Sequence, residues 1–277
     1  MYRIVASDMD ETFLAHDHTI PQANVDAIRR LRAMGCLFVP ASGRPYGSVM
    51  ESLAALPPEL MDGSYVISYN GACINRAGED EPLFSTTMAH QTAQRLFDYG
   101  RWLGLCVHAY ELSGRIWIFG MPAEERGYLE GHVAFEESDE RSLDFLAGTP
   151  LVKVLYCLPN GDSRLHQVLA KMPEEVLAGV SPTFSSGRYL ELNCAGVDKA
   201  AGLDRLAELL GCSLDETIAC GDAPNDLGMV AAAGMGVAVS NATGELKAAA
   251  GYVTASSNED GFLAEVAERI VAPANQA

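Results

Sequence analysis

The segment IVASDMDETFL, residues 4–14, closes a β-branched apolar run with two carboxylates, Asp8 and Asp10, at positions i and i+2. If the strand period runs through both, their side chains project to the same side. At a separation of about 4 Å the two charges repel by about 4 kcal/mol at an effective dielectric near 20. A shared proton or a divalent cation would offset that, and Mg2+ takes a few carboxylates together with water and phosphate oxygens. The same pair would also suit a helix cap or a solvated turn. In CGDAPND, residues 220–226, Asp222 ends a second apolar run and is followed by Asn225 and Asp226. Read alone, that stretch fits an Asx turn opening a helix. PASGR, residues 40–44, brings Ser42 and Gly43 to the end of a third run, a hydroxyl and an N–H suited to a phosphate oxygen or to an ordinary turn. GVDKAAGL places Lys199 where a helix begins; it is either an anion-holding ammonium at a partially positive helix end or a solvated surface lysine.

These residues need strands that end together. TIPQANVDAIRRLRAMG has Thr19 as a possible N-cap, Pro21 in the first turn, apolar residues at 25, 28, 31 and 34, and Gly35 as a stop, the pattern of an amphipathic helix. CLFVPASGR and YVISYNGACI read as further buried strands, and GLDRLAELLG, TIACGD, APNDLGMVAAAG, GVAVS, ATGELKAAAG and GFLAEVAERIVA continue the alternation of helix and strand to the end. Such alternation predicts an α/β fold, a Rossmann-like doubly wound parallel sheet whose ligands sit at the carboxyl ends of its strands. Residues 83–186 break the pattern with a long helix, a hairpin in LCVHAYELSGRIWIFG, and further strands. We therefore expect a discontinuous core, 1–82 and 187–277, interrupted by an inserted α+β domain at 83–186.

The chain has 277 residues, 48% of them hydrophobic, enough for a sizeable core. Lys and Arg total 19 against 37 Asp and Glu, a net charge of −18 with no basic cluster, which argues against nucleic acid and anionic membranes as partners. Oligomeric state cannot be read from composition. Seven cysteines are scattered through apolar runs such as LYCL and TIACG. They read as free thiols of a reducing cytoplasm, no pair having the spacing of a zinc site. No export signal or apolar span is visible, and a cytoplasmic location is expected.

The order of DMDET, SGR, DK and GDAPND resembles the four motifs of the haloacid dehalogenase superfamily of phosphohydrolases. YNGACI, NATGELKAAAGYVT, SSNEDGF and an insertion between the second and third motifs are similar to its Cof-type, type IIB branch. The resemblance implies that Asp8 is the nucleophile taking the phosphoryl group, and that Asp10 is the acid and then the base. It implies that Ser42 and Lys199 hold the phosphoryl group, with Thr12, Gly43, Arg44 and Asn70 lining or bracing the site. Mg2+ would be bound by Asp8, Asp222 and the main-chain carbonyl of Asp10, with Asn225 and Asp226 supporting it. The chain departs from the family in carrying Glu11 where Gly usually follows the second Asp, which puts the turn geometry in question.

The resemblance further implies that the inserted domain is a cap reading the leaving group of a small phosphorylated metabolite, a sugar phosphate or a nucleotide or cofactor phosphate. His108, Tyr110, Arg115 and Trp117 fall on its hairpin, but the alternation in RIWIF reads as core, and none is assigned to the site. Two rival functions use the same residues. A phosphomutase would return the phosphoryl group from Asp8 to a sugar, and a non-catalytic phosphate-responsive module would keep it as a signal.

Overall fold

The computed structural model describes residues 1–130 and 133–275. They form two compact units: 1–85 with 198–277, and 86–197.

In the first unit five parallel strands lie in the order Tyr252–Val253, Met235–Ala238, Thr217–Gly221, Ile4–Ser7, Leu37–Pro40. The chain builds outward in opposite directions from Ile4–Ser7 and Thr217–Gly221, so the sheet's switch point lies between those two strands, where such folds bind ligands. Alternation within each strand sends side chains to opposite faces. Val5, Phe38, Ile218 and Val237 join a core with Val25, Ile28 and Leu31 of the helix Gln22–Ala33 and with Leu263 and Val266. Ile4, Ala6, Val39 and Ala219 join another with Leu203 and Leu206 of the helix Lys199–Leu209. Helices cover both faces, as the continuous apolar runs of buried parallel strands require.

Three local features differ from the sequence reading. Thr19 does not cap the first long helix, which starts after Pro21; its hydroxyl donates instead to Asp17 at 2.6 Å. YVISYNGACI is two strands, Tyr65–Ser68 and Cys73–Arg76, antiparallel to each other. The break between them is a tight turn in which Tyr69, Asn70 and Gly71 all have positive φ, at 51°, 55° and 95°. Tyr65–Ser68 still runs beside the parallel sheet, through a parallel bridge from Ala41 to Ile67 and the Ser42 N–H donating to the Ile67 carbonyl at 2.9 Å.

The third difference is the boundary of the second unit, which runs to Val197 rather than 186. Tyr189–Cys194 hydrogen-bonds to Leu151–Cys157 and to Val180–Ser185 and so belongs to a six-stranded sheet, not to the core. That sheet has the order Val180–Ser185, Tyr189–Cys194, Leu151–Cys157, Cys106–Glu111, Ile116–Phe119, Glu136–Glu137, antiparallel except for the last pair. Among the described residues no helix is long and apolar enough to cross a membrane.

Gly71 ties the turn to the helix that begins with Lys199. A Cβ at Gly71 would lie 2.2 Å from the Asp198 carbonyl oxygen, and its φ is +95°. Gly71→Ala is expected to cost about 3 kcal/mol, from the left-handed backbone and the overlap together. Gly63→Ala, at φ +71° but with nothing within 4 Å, is expected to cost about 1 kcal/mol. Denaturant midpoints of the two variants measure the difference, and equal losses would contradict it.

Candidate active site

Each acid of the first motif is positioned by the way the first strand ends. Regular pairing stops at Ser7, opposite Cys220 and Pro40, and the Asp8 N–H still donates to the Cys220 carbonyl at 2.9 Å. From Met9 the chain coils into a tight turn, with Asp10 at φ −71°, ψ 134° and Glu11 at φ 56°. The period of two does not extend past Ser7, so Asp8 and Asp10 are not the like-charged neighbours their spacing predicts. Asp8 is buried, whereas the Asp10 side chain is 43% exposed.

Asp10 pairs with a cation. Arg44 grips its carboxylate with two nitrogens, Nε 2.8 Å from Oδ2 and Nη2 on Oδ1, and Nη1 donates to Ser52 Oγ at 3.0 Å. His18 Nδ1 stands 3.6 Å from Asp10 Oδ1. Arg44, expected to line or brace the site, pairs with Asp10. A bidentate guanidinium fixes a carboxylate's orientation as well as its charge.

The centre of the site is Lys199. It is the first residue of its helix, whose N-cap Asp198 accepts the Ala201 N–H at 2.8 Å. Its ammonium is 1% exposed and lies between two carboxylates, contacting Asp8 Oδ1 and standing 2.7 Å from Asp226 Oδ1. Asp226, expected to support the metal, is an ion-pair partner of this lysine. Its other oxygen accepts the N–H groups of Asp222 and Ala223 at 3.1 and 3.2 Å, so it also shapes the turn that carries Asp222. Asn225 is half-buried in the same turn. Thr12, fully buried, donates its hydroxyl to Asp222 Oδ1 at 2.8 Å. Ser42, 2% exposed, follows the neighbouring strand, accepts the Arg44 N–H on Oγ at 3.1 Å, and its carbonyl accepts the Asn70 N–H at 2.9 Å. Gly43 sits against Asn70, where a Cβ would fall 2.9 Å from Oδ1.

Carboxylate oxygens of Asp8, Asp222 and Asp226 all lie within 4.8 Å of one another. Three carboxylates and one ammonium leave two negative charges in a mostly buried space. Burial and the Asp226 charge push Asp8 up to about 6 against the opposing pull of Lys199. Burial, then Asp8 and Asp226, push Asp222 up to about 8. Residual charge of −2 on an all-oxygen donor set fits a hard divalent cation such as Mg2+, so the residues present suit the metal that the motifs imply.

Glu11 adopts the left-handed conformation that the usual glycine would take freely, at φ 56°. The strain is held by the tail of the core. Asn241 Nδ2 donates to the Glu11 carbonyl at 2.7 Å, Asn258 Nδ2 reaches Leu14 O at 3.3 Å, and the Glu11 carboxylate bonds His16 Nδ1 at 2.8 Å. The turn geometry therefore survives the departure. His18, Asn241 and Asn258 were not assigned from sequence; the asparagines lie in NATGELKAAAGYVT and SSNEDGF, which matched the family pattern without a role.

Residues 5–266 match the model of a family described as haloacid dehalogenase-like hydrolase. The YxeH protein of Bacillus subtilis is 29% identical over 251 residues, covering 89% of this chain and 90% of that protein. An HMP-PP phosphatase of Serratia proteamaculans is 26% identical over 251 residues, covering 90% and 87%. A crystal structure of a haloacid dehalogenase-like hydrolase from Bacteroides thetaiotaomicron superposes with a TM-score of 0.80 at 28% identity, covering 98% of this chain and 100% of that one.

The raised carboxylates set a pH dependence. A carboxyl whose folded pKa is raised stabilises the fold fully below its unfolded pKa, near 4, and loses that contribution as pH rises through the folded value. For Asp8 and Asp222 the loss falls between about pH 4 and about 8. In the presence of a chelator, unfolding midpoints are expected to fall across that window. Mg2+ should restore stability by an amount that grows with pH. Asp222→Asn is expected to be more stable than wild type at pH 8 in chelator and to lose most of the Mg2+ response. A Mg2+ effect of equal size in both proteins would contradict this origin.

Proposed function

The chain belongs to the haloacid dehalogenase-like hydrolase family, and we propose that it is a Mg2+-dependent phosphatase of small phosphorylated metabolites working through an aspartyl-phosphate on Asp8. The observation that carries this reading is the buried Lys199 ammonium between Asp8 and Asp226, with Asp222 beside them, at the switch point of the sheet.

A carboxylate attacks a dianionic phosphate monoester only where fixed positive charge receives the negative charge of both. Lys199 supplies one such charge, held in place by two ion pairs. Mg2+ bound by the carboxylates of Asp8 and Asp222 and the main-chain carbonyl of Asp10 would supply further positive charge to the phosphoryl oxygens. Asp8 Oδ forms the new bond to phosphorus as the bond from phosphorus to the leaving oxygen breaks, and Asp10 gives that oxygen its proton. Asp10 then takes a proton from the water that attacks phosphorus, releasing inorganic phosphate and the Asp8 carboxylate. Splitting hydrolysis in this way replaces one difficult step with two easier ones.

Asp10 can serve both halves because it is the one acid of the group that is well exposed and outside the Lys199 cluster. Arg44 aims it, and transfer of its proton requires this ion pair to loosen when substrate arrives. Ser42 Oγ, the backbone at Gly43 and the side-chain amide of Asn70 are assigned to the remaining phosphoryl oxygens, with Thr12, Asn225 and Asp226 holding Asp222 in position. Selection among leaving groups is assigned to the inserted unit, Thr86–Val197, acting as a cap. Relatives named as phosphatases support hydrolysis over mutase chemistry.

Release of inorganic phosphate from an aryl phosphate tests the reading. Asp8→Asn is expected to lower kcat by at least about 10³-fold, and Asp10→Asn by about 10²–10⁴-fold. Chelation should abolish turnover and Mg2+ restore it. Undiminished activity in chelator, or in Asp8→Asn, would overturn the mechanism.

A further inference from the structure

The second unit contains a cluster that phosphoryl transfer does not use. Cys106 and His108 stand at i and i+2 on the strand Cys106–Glu111 and so share one face. Cys157 on the strand Leu151–Cys157 is the register partner of Cys106. All three are buried, at 5%, 0% and 1% exposure, and a sulfur of each cysteine and a ring nitrogen of the histidine lie within 4.8 Å of one another.

His108 supplies a second, independent observation. Neither of its ring nitrogens has a hydrogen-bond partner, although both are buried. A buried polar atom left unpaired costs free energy, and an imidazole with two of them calls for an occupant. Burial and the Lys153 ammonium keep the ring neutral, the form whose lone pair binds metals. Glu125, fully buried, lies beside the cluster, with Oε1 3.8 Å from His108 Nε2 and Oε2 lacking a hydrogen bond.

We propose that Cys106, His108 and Cys157 form a structural Zn2+ site in the second unit, with Glu125 offering an oxygen for the fourth position. The chemistry of the donors selects the ion. Two thiolates and an imidazole are soft to borderline ligands that suit zinc and do not suit Mg2+. Charge also closes, because Zn2+ with two thiolates is neutral, and the Glu125 carboxylate has the Arg188 guanidinium 3.3 Å away. Ile116, Ile118, Leu129 and Leu155 pack around the cluster and exclude water from it. Each thiol gives its proton to solvent as the ion enters during folding, so no oxidant or reductant is needed. By joining adjacent strands, the ion would pin the middle of the six-stranded sheet. Sequence spacing concealed the set, because zinc sites are read from cysteine pairs a few residues apart, whereas here the ligands meet across two strands.

The test uses the full chain, purified without a metal-binding tag and under reducing conditions. Elemental analysis is expected to find about one zinc per chain, with X-ray absorption at the zinc edge showing two sulfur neighbours and at least one nitrogen. Refolding with Co2+ should give the intense visible bands of a tetrahedral site together with a thiolate-to-cobalt charge-transfer band. Cys157→Ala and His108→Ala should lose them, while Asp222→Asn should keep them, because the aspartate cluster offers oxygen alone. Absence of zinc with no thiolate band, a zinc edge showing only oxygen and nitrogen, a disulfide joining Cys106 to Cys157, or bands that persist in Cys157→Ala would each overturn the proposal. The absorption measurement needs only wild-type protein and decides the matter even where a variant does not fold.

Discussion

One buried ammonium answering three carboxylates is the constraint on which the catalytic core is organised. Lys199 neutralises part of the charge of Asp8 and Asp226, while Asp222 completes a group that remains two charges negative. Such a group is tolerable away from water only with protons or with a divalent cation. The rise of Asp8 and Asp222 above the usual carboxylate range is the proton-bearing answer. A cation is the answer that leaves Asp8 ionised, as the proposed attack on phosphorus requires. The surrounding backbone serves this balance: Asp226 shapes the Asp222 turn through two N–H groups, Thr12 holds Asp222 by its hydroxyl, and the turn at Gly71 packs directly on the start of the lysine's helix.

Much of this was legible in the sequence because buried parallel strands are short, apolar and end abruptly. Asp8, Ser42 and Asp222 stand just beyond the regular strands Ile4–Ser7, Leu37–Pro40 and Thr217–Gly221, and adjacency in the sheet brings their loops together. Side-chain direction beyond those ends was not legible. The period of two that put Asp8 and Asp10 side by side depends on extended backbone, and it fails at Met9, where the chain leaves the strand for a tight turn. The Arg44 grip on Asp10, the Asp226 ion pair and the boundary at Val197 all arise from pairings distant in sequence. No local pattern encodes them.

Glu11 shows how a local rule can be broken and compensated. The left-handed conformation costs a non-glycine residue about 1–2 kcal/mol. Here two asparagines near the chain's end and His16 secure the turn through its carbonyls and carboxylate. The segments NATGELKAAAGYVT and SSNEDGF thus have a physical reason to accompany DMDET, although they contribute no group to the Lys199 cluster.

The central claim is that a single divalent ion completes the charge balance at Asp8 and Asp222 beside Lys199. Anomalous scattering from crystals of the protein grown with Mn2+ in place of Mg2+ tests it most directly. One peak within coordination distance of carboxylate oxygens from both Asp8 and Asp222, lost on chelation, is the expected result. No peak at that position, or a peak held by Asp10 and Glu11 alone, would contradict the account.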